Sequence, residues 1–169
     1  ESYMKGLSLV PELWAPATIQ AQAVTSRSNA LWSAADRGPE ESFDLARREE
    51  CHCNLYDGSP DQVFRGYTGE TSHPNWVEAV TSTTQQVMGF GGSVAFGLFS
   101  SSSGGWTESY GDVFDGIGHP YLQSVDDSSA FSVSAANPHA VWGASSDQSV
   151  LAEAFGFSWV SDMVVTERN

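Results

Sequence analysis

A mixed α+β domain is the fold class this sequence predicts, and three observations carry it. Small residues recur at helical spacing after Pro16. Short apolar runs punctuated by glycine lie between Gln62 and Phe99. A further helical pattern returns near Asp147, so the two kinds of element interleave along the chain. With 169 residues, 40% hydrophobic and 12% aromatic, the chain can bury a real core as a single domain spanning 1–169.

Each element has its own local cause. Residues 3–14 are apolar and broken by Gly6 and Pro11, which reads as a strand or tight turn. Pro16 suits the first position of a helix, where its missing N–H would be unpaired anyway. Ile19, Ala23, Ser26, Ala30 and Ala34 then form one helical stripe, with Gln20, Val24, Arg27 and Leu31 beside it. The charged stretch 36–50 contains Gly38-Pro39 and marks a surface excursion. Gln62 to Tyr67 reads as a short strand, and His73 to Val80 as a second helix with Pro74 at an early position. Gln86–Met88 and Val94–Phe99 read as paired strands joined through Gly89-Phe90-Gly91-Gly92. Asp147 to Phe155 predicts a third helix with Asp147 as N-cap, and Trp159 to Thr166 a last strand.

Charge excludes one class of function. Twenty-one acidic residues oppose seven basic ones, for a net charge of −14, and Lys5 is the only lysine. Nucleic-acid binding depends on Lys and Arg neutralising phosphates, so it is excluded. Anionic lipid and teichoic polymers are repelled in the same way. No apolar run approaches the length of a membrane span, so no membrane contact is expected from this domain. The abrupt start at Glu1-Ser2-Tyr3 reads as a domain cut from a longer protein. The two cysteines, Cys51 and Cys53, flank His52 and leave three readings open: free thiols, a strained disulfide, or a metal pair that would need a turn to converge. Asp112, Asp115, Asp126 and Asp127 match no recognised calcium loop, and no metal site is expected.

Several segments carry a family resemblance. Tyr3, Gly6, Val10-Pro11, Trp14, Ile19-Gln20-Ala21-Gln22-Ala23-Val24 and Arg27 fall into one gapless frame. Downstream come Gln62-Val63-Phe64-Arg65-Gly66-Tyr67, and Val80 through Thr83 to Val87-Met88, with Gln85 where glycine is usual. Ser101 to Glu108 supplies a Ser-x-Ser-Gly-Gly-x-Thr-Glu motif, and Pro120-Tyr121-Leu122-Gln123-Ser124-Val125 closes the series. In this order and spacing the chain resembles the SpoIID/LytB family, bacterial proteins that act on the glycan strands of peptidoglycan. The resemblance runs from about Tyr3 to Arg168.

The resemblance implies helices packed on a mixed, largely antiparallel sheet, and an exported, extracellular or cell-wall-associated domain. It implies peptidoglycan glycan strands as ligand, other cell-wall hydrolases as candidate partners, and no cofactor. Characterised relatives are lytic transglycosylases, and others assist cell-wall amidases. The chemistry needs one carboxyl group, which protonates the glycosidic oxygen. As carboxylate it then takes a proton from the sugar's own C6 hydroxyl while an anhydro ring closes. In the gapless frame that carboxyl position is Leu9, which can neither donate nor accept a proton.

Glu12 is the candidate surrogate. It would lie about 5–6 Å from Leu9 across a helical turn, or on the order of 10 Å away in an extended segment. A general acid must come within about 2.6–3.2 Å of its target, so Glu12 serves only if the backbone is remodelled. Glu108 is a further candidate acid. The family's lysine is replaced by Gln20, which keeps hydrogen bonding to hydroxyls without the charge. By resemblance Gln20, Thr83, Ser101, Ser103, Gly104, Gly105 and Thr107 would bind substrate, and Trp76 and Trp106 could stack on sugar faces. The zinc-binding cysteines of some relatives correspond to Tyr56 and Asp61, which removes thiolate ligation. Three functions are compatible with this pattern: a glycan-binding domain with impaired catalysis, an active lytic transglycosylase using Glu12 or another acid, and an interaction module without glycan affinity.

Overall fold

The computed structural model describes residues 1–36, 53–114, 118–129 and 143–164. The expected excursion at Gly38-Pro39, Cys51, His52 and Asp115 lie outside the described residues. The chain divides into two compact units, Glu1–Phe99 and Ser100–Asn169. Helices and a small antiparallel sheet make it a mixed α+β protein, as expected.

In the first unit, α1 (Ser2–Lys5), α2 (Pro16–Asp36), α3 (Gly66–Ser72) and α4 (Pro74–Ser82) precede a hairpin of β1 (Gly89–Phe90) and β2 (Ser93–Val94). The long α2 starts at Pro16 as its sequence predicts. Ile19, Ala23, Ser26 and Ala30 of the expected stripe are buried. It packs chiefly on α4, and small side chains there permit the close approach. The core gathers Met4, Leu7, Ile19, Ala23, Trp76, Ala79 and Val80, with Tyr3, Leu9 and Val10 packed against it. Trp76 is fully buried, and its indole N–H donates to the Met4 carbonyl at 2.7 Å.

The stretch expected as a strand from Gln62 to Tyr67 is not one: 62–65 has no regular structure, and Gly66 already begins α3. The reason lies in its contacts. The buried Gln62 amide donates to the Ser26 carbonyl and to Asn29 of α2, while Phe64 stacks on Tyr3 with ring centroids 5.5 Å apart. The Arg65 N–H bonds the Gly6 carbonyl at 2.7 Å. Gly6 allows the Phe64 ring to lie close against the backbone, where a Cβ would push it aside.

The hairpin forms but is displaced from the expected strands: Gln86–Met88 has no regular structure, β1 falls within the expected turn at Gly89–Phe90, and of Val94–Phe99 only Val94 is in a strand. Gly89 pairs with Val94 and Phe90 with Ser93, leaving Gly91 and Gly92 as the two turn residues, both at positive φ. One further rung joins the Ala95 N–H to the Met88 carbonyl at 2.9 Å. Beyond it α2 captures the backbone. The Met88 N–H donates to Ser28 Oγ, and Asn29 donates to the Gly97 carbonyl.

The second unit contains α5 (Tyr110–Val113) and α6 (Gln148–Ala154), the latter with Asp147 at its N-cap position as expected. The expected last strand is absent from 159–164, which have no regular structure, and 165–166 lie outside the described residues. Trp159, Met163 and Val164 are exposed.

Candidate functional site

Within the first unit, the turn bearing Leu9 is held from both sides. Ser8 just before it adopts φ 43°, a left-handed backbone rare for a residue with a Cβ, and its hydroxyl is buried without a hydrogen-bond partner. Leu9 itself is half-buried against the core. Three residues on, Glu12 clamps the turn to α4. Its two carboxylate oxygens accept the N–H groups of Trp76 (3.0 Å) and Asn75 (2.8 Å), and the Asn75 side-chain amide donates to the Glu12 carbonyl at 2.8 Å.

Those first-turn N–H groups have no partner inside their own helix, and the N-cap residue His73 makes no side-chain cap bond. Glu12 therefore supplies the cap, and its negative charge also suits the positive end of the helix dipole. Both oxygens are engaged by backbone donors, the geometry of a structural anchor.

Gln20 and Thr83 come together at the far end of α4. Gln20 donates to Ser82 Oγ at 3.1 Å. Thr83 is buried at the C-cap, where its hydroxyl donates to the Ala79 carbonyl at 2.7 Å. Beside them lies Arg27, buried on α2. Its Nε and Nη2 form a two-pronged pair with the Glu1 carboxylate at 3.1 and 3.0 Å. Nη2 also donates to the Val80 carbonyl, and Nη1 to the Gln86 carbonyl and Thr83 Oγ1. All five guanidinium donors are thus satisfied, which a buried cation requires.

Partial burial pushes the Glu1 carboxyl up, but the hydrogen bond and charge of Arg27 outweigh it and hold the group below its usual range. In the sequence Arg27 is only one letter of a motif. Its central place depends on three chain segments that spacing alone does not bring together.

Trp76 corrects an expectation: it is fully buried and offers no face to a sugar. At Tyr56 and Asp61, the Asp61 carboxylate accepts the Tyr56 N–H at 2.7 Å and closes the intervening turn. Cys53 is disulfide-bonded, which selects one of its three readings. Among the described residues, no group of three or more His, Cys, Asp or Glu side chains converges as a metal site.

In the second unit, two of the sequence motifs pair with each other. The Thr107 N–H donates to the Val125 carbonyl and the Asp127 N–H to the Gly105 carbonyl, with Trp106 opposite Asp126 in antiparallel register. The Thr107 hydroxyl accepts from the Val125 N–H at 3.0 Å. Ser103 Oγ donates to Asp127 at 2.6 Å and accepts the Gly105 N–H.

Gly104 and Gly105 have φ of 70° and 99°, the conformation that favours glycine. Ser101 is exposed at the start of this segment, and Trp106 exposes 59% of its surface. Asp127 is the neighbour that sequence reasoning misses; only the pairing register identifies it as the partner of Ser103. The adjacent Asp126 carboxyl is held below its usual range by the backbone N–H and hydroxyl of Ser128.

The chain is thus a mixed α+β protein in which the Leu9 turn and the Ser103–Thr107 segment are each internally braced. The family model described as Stage II sporulation protein, SpoIID, matches residues 1–90, within the first unit. The chain belongs to the SpoIID family and is a cell-wall-related domain. No curated protein and no solved structure matches it. Among the described residues, no helix is long and apolar enough to cross a membrane.

Proposed function

We propose that this chain binds peptidoglycan glycan strands as a SpoIID/LytB-like domain, exported and wall-associated, in which lytic catalysis is impaired. The observation that carries the reading is the capping role of Glu12, three residues beyond Leu9. The residue at the acid position packs on the core and has no exchangeable proton. The nearest carboxylate in sequence has both oxygens engaged in capping α4. To act as general acid, Glu12 would have to abandon that cap and reach a glycosidic oxygen to within about 3 Å.

Glycan binding is supported by the Ser103–Thr107 segment, where the backbone is open at Gly104: a Cβ there would meet nothing within 4 Å. Trp106, half-exposed on the same segment, offers an apolar ring face of the kind that stacks on a sugar. Gln20, Thr83, Ser101, Ser103, Gly104, Gly105 and Thr107 remain the proposed substrate contacts. Other wall hydrolases are the proposed partners.

The test incubates the purified chain with denuded sacculi. Retention on the sacculi without release of anhydro-muropeptides by mass spectrometry supports the proposal. Release abolished by Glu12→Gln or by Glu108→Gln would instead make the chain an active transglycosylase. Absence of retention would leave an interaction module.

A further inference from the structure

A different surface stands apart from the glycan reading. Helix α6 ends in a paired hydrogen-bond motif: the Phe157 N–H reaches back to the Ala152 carbonyl at 2.8 Å, and the Gly156 N–H to the Glu153 carbonyl. Gly156 sits between them at φ 70°, so the chain reverses sharply and in a defined way. The segment beyond this reversal is apolar and uncovered. Phe155, Phe157, Trp159, Met163 and Val164 each expose between 60% and 70% of their surface, and most of them line a shallow cavity of about 400 Å³. Single exposed apolar residues are ordinary, but a contiguous run of large ones marks an interaction surface.

Charge selects the occupant. The cavity contains Asp162, and Glu153 lies on the helix that leads into it. The described residues of this unit include no Lys or Arg. A second copy of a chain of net charge −14 is repelled, as is an anionic membrane. We infer that the Phe155–Val164 surface docks an amphipathic segment of another protein, apolar on one face and rich in Lys or Arg at its rim. The apolar contact supplies affinity, and the acidic surround supplies orientation and selectivity.

The experiment titrates the full chain with two synthetic helix-forming peptides of equal charge, one of leucine and lysine on opposite faces, the other of serine and lysine. The leucine peptide should bind at least about tenfold more tightly. Phe157→Ser combined with Trp159→Ser should abolish that advantage, and Met163→Ser alone should weaken it. These are exposed positions, and an unchanged melting temperature for Met163→Ser keeps that arm interpretable. Equal binding of the two peptides overturns the inference, because charge alone would then explain the association. So does retention of the advantage in both variants. A dimer in sedimentation that the same variants dissolve overturns it too, by making a second copy the occupant.

Discussion

Replacing Gln85 by glycine should stabilise this protein, although it deletes a side chain and adds no contact. Gln85 sits just past the end of α4 with φ 64°, in a region where a Cβ crowds the following carbonyl. The conformation is imposed from both sides. The Gln86 N–H bonds the Thr83 carbonyl at 3.0 Å, and the Gln86 carbonyl accepts from Arg27. The side chain is exposed, so little packing is lost.

Left-handed backbone costs an L-residue about 1–2 kcal/mol, while glycine's extra freedom in the unfolded chain returns roughly 0.5–1 kcal/mol of that. The net gain should be about 0.5–1 kcal/mol, a rise in melting temperature of about 1–4 °C for a chain of this size. Thermal unfolding followed by circular dichroism measures it, with Gln85→Ala as the control that keeps the Cβ. If the glycine variant melts no higher than the alanine variant, the assigned backbone strain is wrong.

The same logic gives a larger effect at Ser8, where a strained backbone and a buried, unpartnered hydroxyl coincide. Ser8→Gly should stabilise by about 1–3 kcal/mol, and Ser8→Ala by less, since it relieves the hydroxyl alone; denaturant midpoints rank the two. Glu12→Ala should destabilise by about 0.5–2 kcal/mol through loss of the α4 cap, and equal stability in urea would show that the cap is idle. The Glu1–Arg27 pair predicts an acid limb. A carboxyl held below its usual range stabilises the fold above about pH 4.3, the ordinary glutamate value. That stability is lost as pH falls through the depressed folded value. The effect should be small because the Glu1 side chain is about a third exposed, and Glu1→Gln should flatten that limb in urea midpoints measured against pH.

Much of the first unit is legible from spacing. Pro16 and the Ile19–Ala30 stripe define a helix whose own periodicity buries one face, and Gly91-Gly92 can hardly be anything but a tight turn. Gln62–Tyr67 misleads because its alternation suits a strand, whereas the side chains of Gln62 and Phe64 find partners on α2 and Tyr3 that local pattern cannot see. That glycine would suit position 85 is explained only by its φ of 64°. Leu9 and Glu12 can be singled out from sequence. That Glu12 serves as the cap of a helix some sixty residues downstream cannot. Ser103 and Thr107 stand out as isolated polar groups, and only the antiparallel register reveals Asp127 as the partner of Ser103 and Val125 as that of Thr107.

The register also governs how the second unit tolerates change. One extra residue inside 123–127 would swing every later side chain of that stretch to the opposite face of the ribbon, carrying the Asp127 carboxylate away from the Ser103 hydroxyl. The serine-glycine segment and the distant Gln123–Asp127 stretch thus behave as one mechanical part, and swapping either between related proteins without its mate should break both.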